Sequence, residues 1–329
     1  MKEMQRSLNS FIEQVKQLLR KAQQNTVRSV NHIMVQTYFE LGKKIVEEEQ
    51  NGKAEASYGE YLLQNLSKNL TAEFGKGFSK RNLELIRKFY LTYRIAKSPI
   101  SQSLTWTHYL SLMRIENEEE RAFYEIETIK NNWSVRELQR QIDSELYTRL
   151  TLSLDKNKVR ELSEKGLIME EPKDAIKDPY ILEFLGLPEL SSYSETELEE
   201  QIISKLEHFL LELGNGFTFV GRQVRFTFDE EHFRIDLVFY NRILKCFVLI
   251  DLKIGKLKHQ DLGQMQMYVN YYDRFVKLDD ENKTIGIILC KDKKDTMVEI
   301  TLPESNNQIF ASKYKLVLPS KEDLKKIIE

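Results

Sequence analysis

The sequence FRIDLVFYNRILKCFVLIDLKIGK, residues 233–256, contains two apolar segments joined by a short polar turn near Asn241. Both segments are rich in the β-branched and aromatic residues that favour strands. Three charged residues interrupt the apolar pattern: Asp236, Asp251 and Lys253. Charged side chains inside a sheet are costly unless they are paired or bind an ion. The stretch therefore predicts a β-hairpin that carries a polar site.

The spacing of these charges predicts that they meet at one rim of the sheet. Asp251 and Lys253 are two residues apart, so their side chains point to the same face of a strand. Counting back from the turn places Asp236 about level with Asp251 on the neighbouring strand. Two carboxylates this close repel each other unless a positive charge lies between them. A hard divalent cation such as Mg²⁺ (or Mn²⁺), with several waters retained, fits this arrangement and could activate a water to attack a phosphoryl group.

Composition and motifs limit the classes of protein that this chain can be. Its 329 residues are enough for two domains, and no segment approaches the ~18 apolar residues of a membrane span. The five histidines are scattered, and no phosphate-binding G-x-x-x-x-G-K-[ST] loop is present, so any coupling to ATP hydrolysis would need a separate subunit. Residues 1–21 lack the apolar run of a signal peptide, and we expect Cys246 and Cys290 to be buried, reduced thiols of a cytoplasmic protein.

The first half of the sequence predicts an all-α domain. Apolar residues at three- and four-residue spacing predict helices over 5–24, 27–49 and 58–74. Gly75 and Gly77 then break the pattern, and Ser79 is a candidate N-cap of a further helix. A helix, a short glycine-containing turn and a basic helix together outline a helix-turn-helix-like pair. An ordinary helical hairpin explains the same pattern.

Charge is unevenly distributed along the chain, although the net charge is only −2. Residues 76–97 contain seven basic residues and one acid, Glu84. Basic side chains on or beside the second helix of such a pair would contact phosphates of DNA. For any one of them taken alone, a solvated surface charge is the better explanation. The candidate DNA-binding residues here are Lys80, Arg81, Arg87, Lys88 and Arg94.

The middle of the chain predicts a capped helix and then a linker. Trp133 precedes Ser134, and Glu137 lies three residues later, which is the pattern of a capping box with Trp133 as a core anchor. We expect a helical domain over residues 1–165, a linker over 166–177 and a second domain over 178–329.

The second half predicts a mixed α/β sheet flanked by helices. A helix over 196–213 precedes three strands, and a helix over 261–276, a strand over 284–291, a strand over 314–319 and a C-terminal helix over 321–329 follow. The run CFVLI lacks alternation, which predicts a central strand covered on both faces. Glu207 lies at the border of the apolar face of the first helix and is a candidate to join the metal site; a solvent-facing glutamate is the alternative.

Asp236 followed by Asp251-Leu252-Lys253 after an apolar strand resembles the PD-(D/E)XK nuclease motif. The run Gln264-Met265-Gln266-Met267-Tyr268 is similar to the Q-x-x-x-Y motif of the exonuclease-like branch of that superfamily. More specifically, the chain resembles the YhcG-like bacterial family through segments such as YGEYLLQNLSKNLTAEFGKGFSKRNLELIRKFY, NNWSVRELQRQI and FLLELGNGFTFVGRQ. The family usually has glutamate where this chain has Asp251.

This resemblance implies a restriction-endonuclease-like second domain, an α+β protein overall, and hydrolysis of DNA phosphodiester bonds. Asp236, Asp251 and the Leu252 carbonyl would bind the metal ion, with Glu207 as a further candidate, and Lys253 would serve the attacking water. Gln264 would orient Lys253 or the substrate backbone, and Tyr268 would line the cleft. Arg222 and Gln223 are candidates for phosphate contact.

Several alternatives stay open at the level of sequence. The nuclease fold could serve as a non-catalytic scaffold for DNA binding or assembly, although a scaffold gains nothing from three charges in its sheet. The residues are compatible with RNA as substrate and with endonucleolytic or exonucleolytic cutting. They are also compatible with a homo-oligomer and with a separate ATPase or a restriction or repair partner.

Overall fold

The computed structural model describes residues 2–51, 56–94, 101, 103–151, 156–187, 193–320 and 324. The chain divides into two compact units, residues 1–139 and 140–329. The first unit is helical, and the second is built on a six-stranded mixed sheet with helices. This confirms the predicted fold class. Among the described residues, no helix is long and apolar enough to cross a membrane.

The first unit is built from helices. Its helices are α1 (Lys2–Asn51), α2 (Ala56–Phe74), α3 (Lys80–Tyr93), α4 (Trp106–Leu112), α5 (Glu118–Asn131) and α6 (Val135–Asp143), of which α6 continues into the second unit.

Helix α1 is continuous over 50 residues, so the prediction of two helices over 5–24 and 27–49 is wrong. The intervening residues include neither glycine nor proline. Thr26 lies in this segment, and its hydroxyl donates a hydrogen bond of 3.0 Å to the Ala22 carbonyl one turn earlier. Because the hydroxyl is satisfied within the helix, it does not compete with the backbone hydrogen bonds and the helix continues.

Helices α1 and α3 pack closely through a glycine. A Cβ atom at Gly42 would lie 2.5 Å from the Ile86 carbonyl oxygen and 2.8 Å from the Cβ of Tyr90, so no other residue fits there. Ile86 is fully buried, and the ring of Phe39 on α1 meets that of Phe89 on α3 edge to face at 5.8 Å. This contact fixes α3, the basic helix, against the longest helix of the unit.

The predicted start of α3 is confirmed. Gly75 has φ 88°, in the left-handed region that favours glycine, and it ends α2. The Ser79 side chain accepts a hydrogen bond of 3.4 Å from the Asn82 backbone N–H, as expected for an N-cap. The capping box at α6 is also present, because Ser134 and Glu137 exchange backbone-to-side-chain hydrogen bonds.

The second unit places its helices on both faces of one sheet. Its helices are α7 (Leu146–Thr151), α8 (Lys156–Lys165), α9 (Glu195–Ser204), α10 (Leu206–Leu213), α11 (His259–Phe275) and α12 (Asp295–Thr301). Its strands are β1 (Tyr180–Ile181), β2 (Phe217–Phe228), β3 (Glu231–Asn241), β4 (Cys246–Lys256), β5 (Ile285–Asp292) and β6 (Ile309–Lys315).

The strand order is β1-β6-β5-β4-β3-β2, with β2, β3 and β4 antiparallel and the remaining pairs parallel. Strand β4 lies inside the sheet and is buried on both faces, as its unalternating apolar run predicts. One face packs against α9 and α10 through Ile202 and Phe209, and the other against α11 through Met265 and Val269. Cys246 and Cys290 are buried, free thiols, as expected.

Two predictions for the second unit need correction or lie outside the described residues, and two elements of this unit were not predicted. Strand β6 occupies residues 309–315 rather than 314–319, because Ser312, which interrupts the apolar pattern, is buried inside the strand. Strand β1 and helix α12 are not predicted by the sequence pattern. The predicted helix over 321–329 lies outside the described residues except for Leu324.

The predicted helix over 196–213 is two helices. The backbone at Lys205 has φ −122° and ψ 36°, which ends α9 before α10 begins. The Lys205 ammonium donates hydrogen bonds to the Phe184 carbonyl at 2.6 Å and the Leu185 carbonyl at 3.1 Å. These bonds hold the break in place and change the helical phase of the residues that follow.

Candidate active site

Strand β4 carries an acid and a lysine in contact near its C-terminal end. Nζ of Lys253 lies 2.7 Å from Oδ2 of Asp251. The Asp251 side chain is only 5% exposed and that of Lys253 is 19% exposed. Oδ2 is shielded from solvent and the ammonium group lies outside the directions of a regular hydrogen bond, so this oxygen has an ion pair but no well-aligned donor. The geometry confines one negative and one positive charge to a poorly solvated corner of the sheet.

Strand β3 brings the second carboxylate to the same place. The β3–β4 ladder ends with the pair Leu237 and Ile250, and continuing its register would set Asp236 opposite Asp251. At this position the Asp236 side chain, rather than a backbone carbonyl of β3, accepts the hydrogen bond from β4. Its Oδ2 accepts a hydrogen bond of 2.8 Å from the Leu252 N–H. In a strand the N–H and C=O of one residue point the same way, so the Leu252 carbonyl also faces β3.

The pKa values of Asp251 and Lys253 are shifted by burial and by their charged neighbours. Burial and the negative charge of Asp236 together raise the pKa of Asp251 to about 7, against the opposing effect of Lys253. For Lys253, burial alone would lower the pKa, but the Asp251 carboxylate raises it above its ordinary value. Lys253 is therefore an ammonium ion at neutral pH and can act as a cation rather than as a base.

Gln223 of β2 orients Asp236 from the other side. Its amide nitrogen donates a hydrogen bond of 3.1 Å to Oδ1 of Asp236 and also contacts Oε2 of Glu199 on α9. The backbone of Gln223 has φ 47°, in the left-handed region that is unfavourable for a residue with a Cβ, and the β2–β3 pairing skips this position. The register is the same on both sides, so the irregularity is confined to the residue whose side chain reaches the two carboxylates.

Helix α9 supplies two acids that sequence reasoning missed. Glu199 is 4% exposed, and burial together with the charge of Asp236 raises its pKa despite the hydrogen bond from Gln223. Glu195, one turn earlier, lies 3.8 Å from Nζ of Lys253. The signal that could have found them is their four-residue spacing, which puts both on one face of α9.

Glu207 does not point at the sheet, so the expectation that it could join the site is wrong. Its side chain is 86% exposed and lies 3.5 Å from Nδ1 of His208. The prediction assumed one continuous helix, and the break at Lys205 rotates Glu207 outward. Glu199 on the preceding helix is the buried glutamate that faces Asp236 through Gln223.

The Q-x-x-x-Y residues of α11 support β3 rather than Lys253. The Gln264 amide contacts the Tyr268 hydroxyl, and that hydroxyl donates a hydrogen bond of 2.9 Å to the Arg234 carbonyl, two residues before Asp236. Tyr268 is 1% exposed, and burial together with the charge of Asp251 raises its pKa to about 12. Of the predicted phosphate contacts, Arg222 is exposed on β2, whereas Gln223 is engaged by Asp236 and Glu199.

The predicted basic residues of the first unit divide into paired and unpaired side chains. Lys80 lies 2.8 Å from Glu60, and Arg87 lies 2.8 Å from Glu49 of α1. The exposed residues that form no ion pair in the described part of the chain are Arg81, Lys88 and Arg94.

The residues at the end of β4 fit a hard divalent cation. The possible ligands are all oxygen atoms: the carboxylates of Asp236 and Asp251 and the carbonyl of Leu252. Oδ2 of Asp251 supports this fit, because it is buried with only the ion pair to Lys253 and keeps acceptor capacity for a metal ion. No group of three His, Cys, Asp or Glu side chains comes together as a metal site within the described residues, so a bound Mg²⁺ would keep several waters.

The order of these elements and the two acids and lysine around the end of β4 define a PD-(D/E)XK nuclease domain. Two family models match the chain: the YhcG PDDEXK nuclease domain over residues 173–329 and the DUF1016 N-terminal domain over residues 14–149. The chain is 39% identical to "Putative nuclease YhcG" of Escherichia coli (strain K12) over 93% of its length and 90% of that protein. The chain belongs to the YhcG family of PD-(D/E)XK nucleases, which confirms the family resemblance.

Solved structures show more distant similarity. A repair endonuclease from Pyrococcus abyssi matches 40% of this chain and 50% of its own chain, with 16% sequence identity and a TM-score of 0.26. An EndoMS–dsDNA2 complex matches 41% of this chain and 50% of its own, with 15% identity and a TM-score of 0.27. The matched region thus spans about half the length of these solved chains.

Proposed function

We propose that this protein is a metal-dependent nuclease that hydrolyses DNA phosphodiester bonds. The observation that carries the proposal is the contact of Asp236 with the Leu252 N–H next to the buried pair of Asp251 and Lys253. Membership of the YhcG nuclease family supports the same activity. Crowded acids beside one lysine are costly to a fold and are typical of a catalytic site.

Each residue of the site has a proposed role. Asp236, Asp251 and the Leu252 carbonyl would hold Mg²⁺ or Mn²⁺, which would polarise a phosphoryl oxygen and lower the pKa of a bound water. Lys253, protonated and held by Asp251, would place the attacking water and neutralise charge that develops on the phosphate. Gln264 and Tyr268 would keep β3 and its Asp236 in position.

We further propose that the helical first half positions DNA through the exposed face of α3. Arg81, Lys88 and Arg94 are exposed and not engaged by acids of the described residues, so they are available to phosphates. A helical domain over 1–165, a linker over 166–177 and a nuclease domain over 178–329 remain our proposed organisation, although the compact units of the structure divide earlier, between residues 139 and 140. The two family models, which end at 149 and begin at 173, support a boundary in this region. The buried free thiols fit the reducing cytoplasm, where we propose that the protein acts.

The test is cleavage of supercoiled plasmid and of single-stranded DNA with Mg²⁺, Mn²⁺ or EDTA. We expect metal-dependent products from the parent protein and none from D251A or K253A. K245A, which changes an exposed lysine at the β3–β4 turn, is the matched control and should cut normally. Cleavage that persists with EDTA or in D251A would refute the proposed site, and DNA binding without metal-dependent cutting by the parent would favour a non-catalytic scaffold.

A further inference from the structure

The β2–β3 hairpin carries two arginines directly opposite each other. Arg225 and Arg234 are Cα partners in the antiparallel register. Residues directly opposite in such a ladder project to the same face, about 5 Å apart at Cβ. Both side chains are exposed. The hairpin therefore presents two guanidinium groups side by side on one face.

No acid of the described chain compensates this pair. Neither arginine forms an ion pair within the described residues. Strand β2 contains no aspartate or glutamate. On β3 the acids next to Arg234 are Asp236, which is engaged by Gln223 and Leu252, and Glu231 at the hairpin end. Like charges directly opposite destabilise a sheet, so this arrangement costs stability unless an anion binds.

The pair is held close to the candidate active site. Arg234 precedes Asp236 by two residues, which is roughly 7 Å along a strand. The hydrogen bond of 2.9 Å from Tyr268 to the Arg234 carbonyl fixes this part of β3 on α11.

We propose that Arg225 and Arg234 form a phosphate clamp that holds the DNA backbone close to the bond to be cut. This inference rests on the proposed nuclease function and names residues that would hold its substrate. Guanidinium groups bind phosphate oxygens in a bidentate manner, and two adjacent ones can engage one phosphate or two successive phosphates. The bound phosphate places a negative charge between the two guanidinium groups.

The experiment separates binding from folding through R225E, R234E and the double variant R225E/R234E. Each single variant places opposite charges across the ladder, so the thermal midpoint should stay equal or rise. Affinity for a short DNA duplex, measured by fluorescence anisotropy with Ca²⁺ in place of Mg²⁺, should fall about tenfold at low salt. The slope of log K against log salt should become shallower by about one to two. R242E, at the exposed turn beyond the other end of β3, is the matched charge control and should bind as the parent does.

Two results would overturn the clamp: DNA affinity unchanged in the double variant, or a loss of affinity matched by a lower thermal midpoint in both single variants. A loss of affinity for single-stranded RNA but not for DNA would overturn its assignment to DNA. Failure of the proposed nuclease function can be distinguished from failure of the clamp. If the parent protein never cuts DNA but the double variant binds DNA more weakly than the parent, only the clamp is supported.

Discussion

Gln223 and Asp236 are joined by a side-chain hydrogen bond of 3.1 Å at the one position where the pairing of β2 and β3 is interrupted without a change of register. The same amide contacts Glu199, so one neutral group links two carboxylates. A left-handed backbone conformation at a non-glycine residue costs on the order of 1 kcal/mol. The fold tolerates this conformation because the amide orients an acid of the site.

Replacing Gln223 by glycine and by alanine should separate the backbone cost from the role of the amide. Both Q223G and Q223A remove the donor to Asp236, so both should weaken Mn²⁺ binding and slow DNA cleavage. Only glycine relieves the positive φ of 47°, and Q223G should therefore be more stable than Q223A by about 1 kcal/mol. Urea unfolding and calorimetric Mn²⁺ titration measure the two effects. Equal Mn²⁺ affinity in all three proteins would exclude a role for the amide.

Asp251 makes the metal-free protein less stable as the pH rises. Its pKa is raised from 3.8 to about 7 in the folded state by burial and by Asp236, so the fold favours the protonated form. The cost of ionisation is absent below pH 4, grows between pH 4 and 7, and is complete above pH 7. We expect D251N in EDTA to be more stable than the parent by about 1–3 kcal/mol at pH 8, with little difference at pH 4.

Denaturant unfolding at the two pH values measures this difference. Adding Mg²⁺ at pH 8 should stabilise the parent and leave D251N unchanged, because the ion compensates a charge that the variant lacks. If the unfolding free energy of the parent instead rose relative to that of D251N from pH 4 to pH 8 in EDTA, the predicted sign of this effect would be wrong.

The sequence was sufficient to predict the central part of the site. Asp251 and Lys253 are two residues apart on one strand, so their side chains share a face. The length of one hairpin fixes the position of Asp236 on the neighbouring strand, so local rules decide all three positions. The central position of β4 followed from its apolar run for the same reason.

The acids of α9 could not be assigned from the sequence because they depend on tertiary contacts. The break at Lys205 is held by carbonyls of residues 184 and 185, which lie twenty residues away along the chain. A prediction from helical periodicity assumes one continuous helix across such a break, and it therefore selected Glu207. The left-handed backbone at Gln223 is hidden for a similar reason, since its side chain contacts Glu199 and Asp236, which are distant along the chain.

On α3, charge reversal should affect binding and stability at different positions. Arg87 is paired with Glu49 of α1 at 2.8 Å, whereas Lys88 is exposed and forms no ion pair among the described residues. We expect K88E to weaken DNA binding several-fold at low salt and R87E mainly to lower the thermal midpoint. Anisotropy titrations at two salt concentrations and thermal unfolding distinguish the two variants.

The exposed Glu84 on the same helix provides the control, because E84K adds a charge without breaking an ion pair and should strengthen binding. If K88E and E84K both bind DNA like the parent at low salt, the first unit does not contact DNA through this face.

Glu212 of α10 should be the most important single acid for the stability of the second unit. It is fully buried and accepts hydrogen bonds from Arg149 at 2.6 Å, from Arg140 at 3.3 Å and from the Ile181 N–H at 3.0 Å. Burial alone would raise its pKa, but Arg149, Lys177 and Arg140 lower it to about 2. Removing its charge leaves these cations without their partner, and E212Q should lose about 3 kcal/mol at pH 7.

The pH dependence of this loss follows from the lowered pKa. Ionised Glu212 stabilises the fold above its ordinary pKa of 4.5, and this contribution disappears as the pH falls towards 2. The difference in unfolding free energy between the parent and E212Q should therefore be complete at pH 7 and smaller at pH 3. E207Q, the same substitution at an exposed glutamate of α10, should change stability little at either pH. A difference that stays constant from pH 7 to pH 3 would show that the fold depends on the shape of this side chain rather than on its charge.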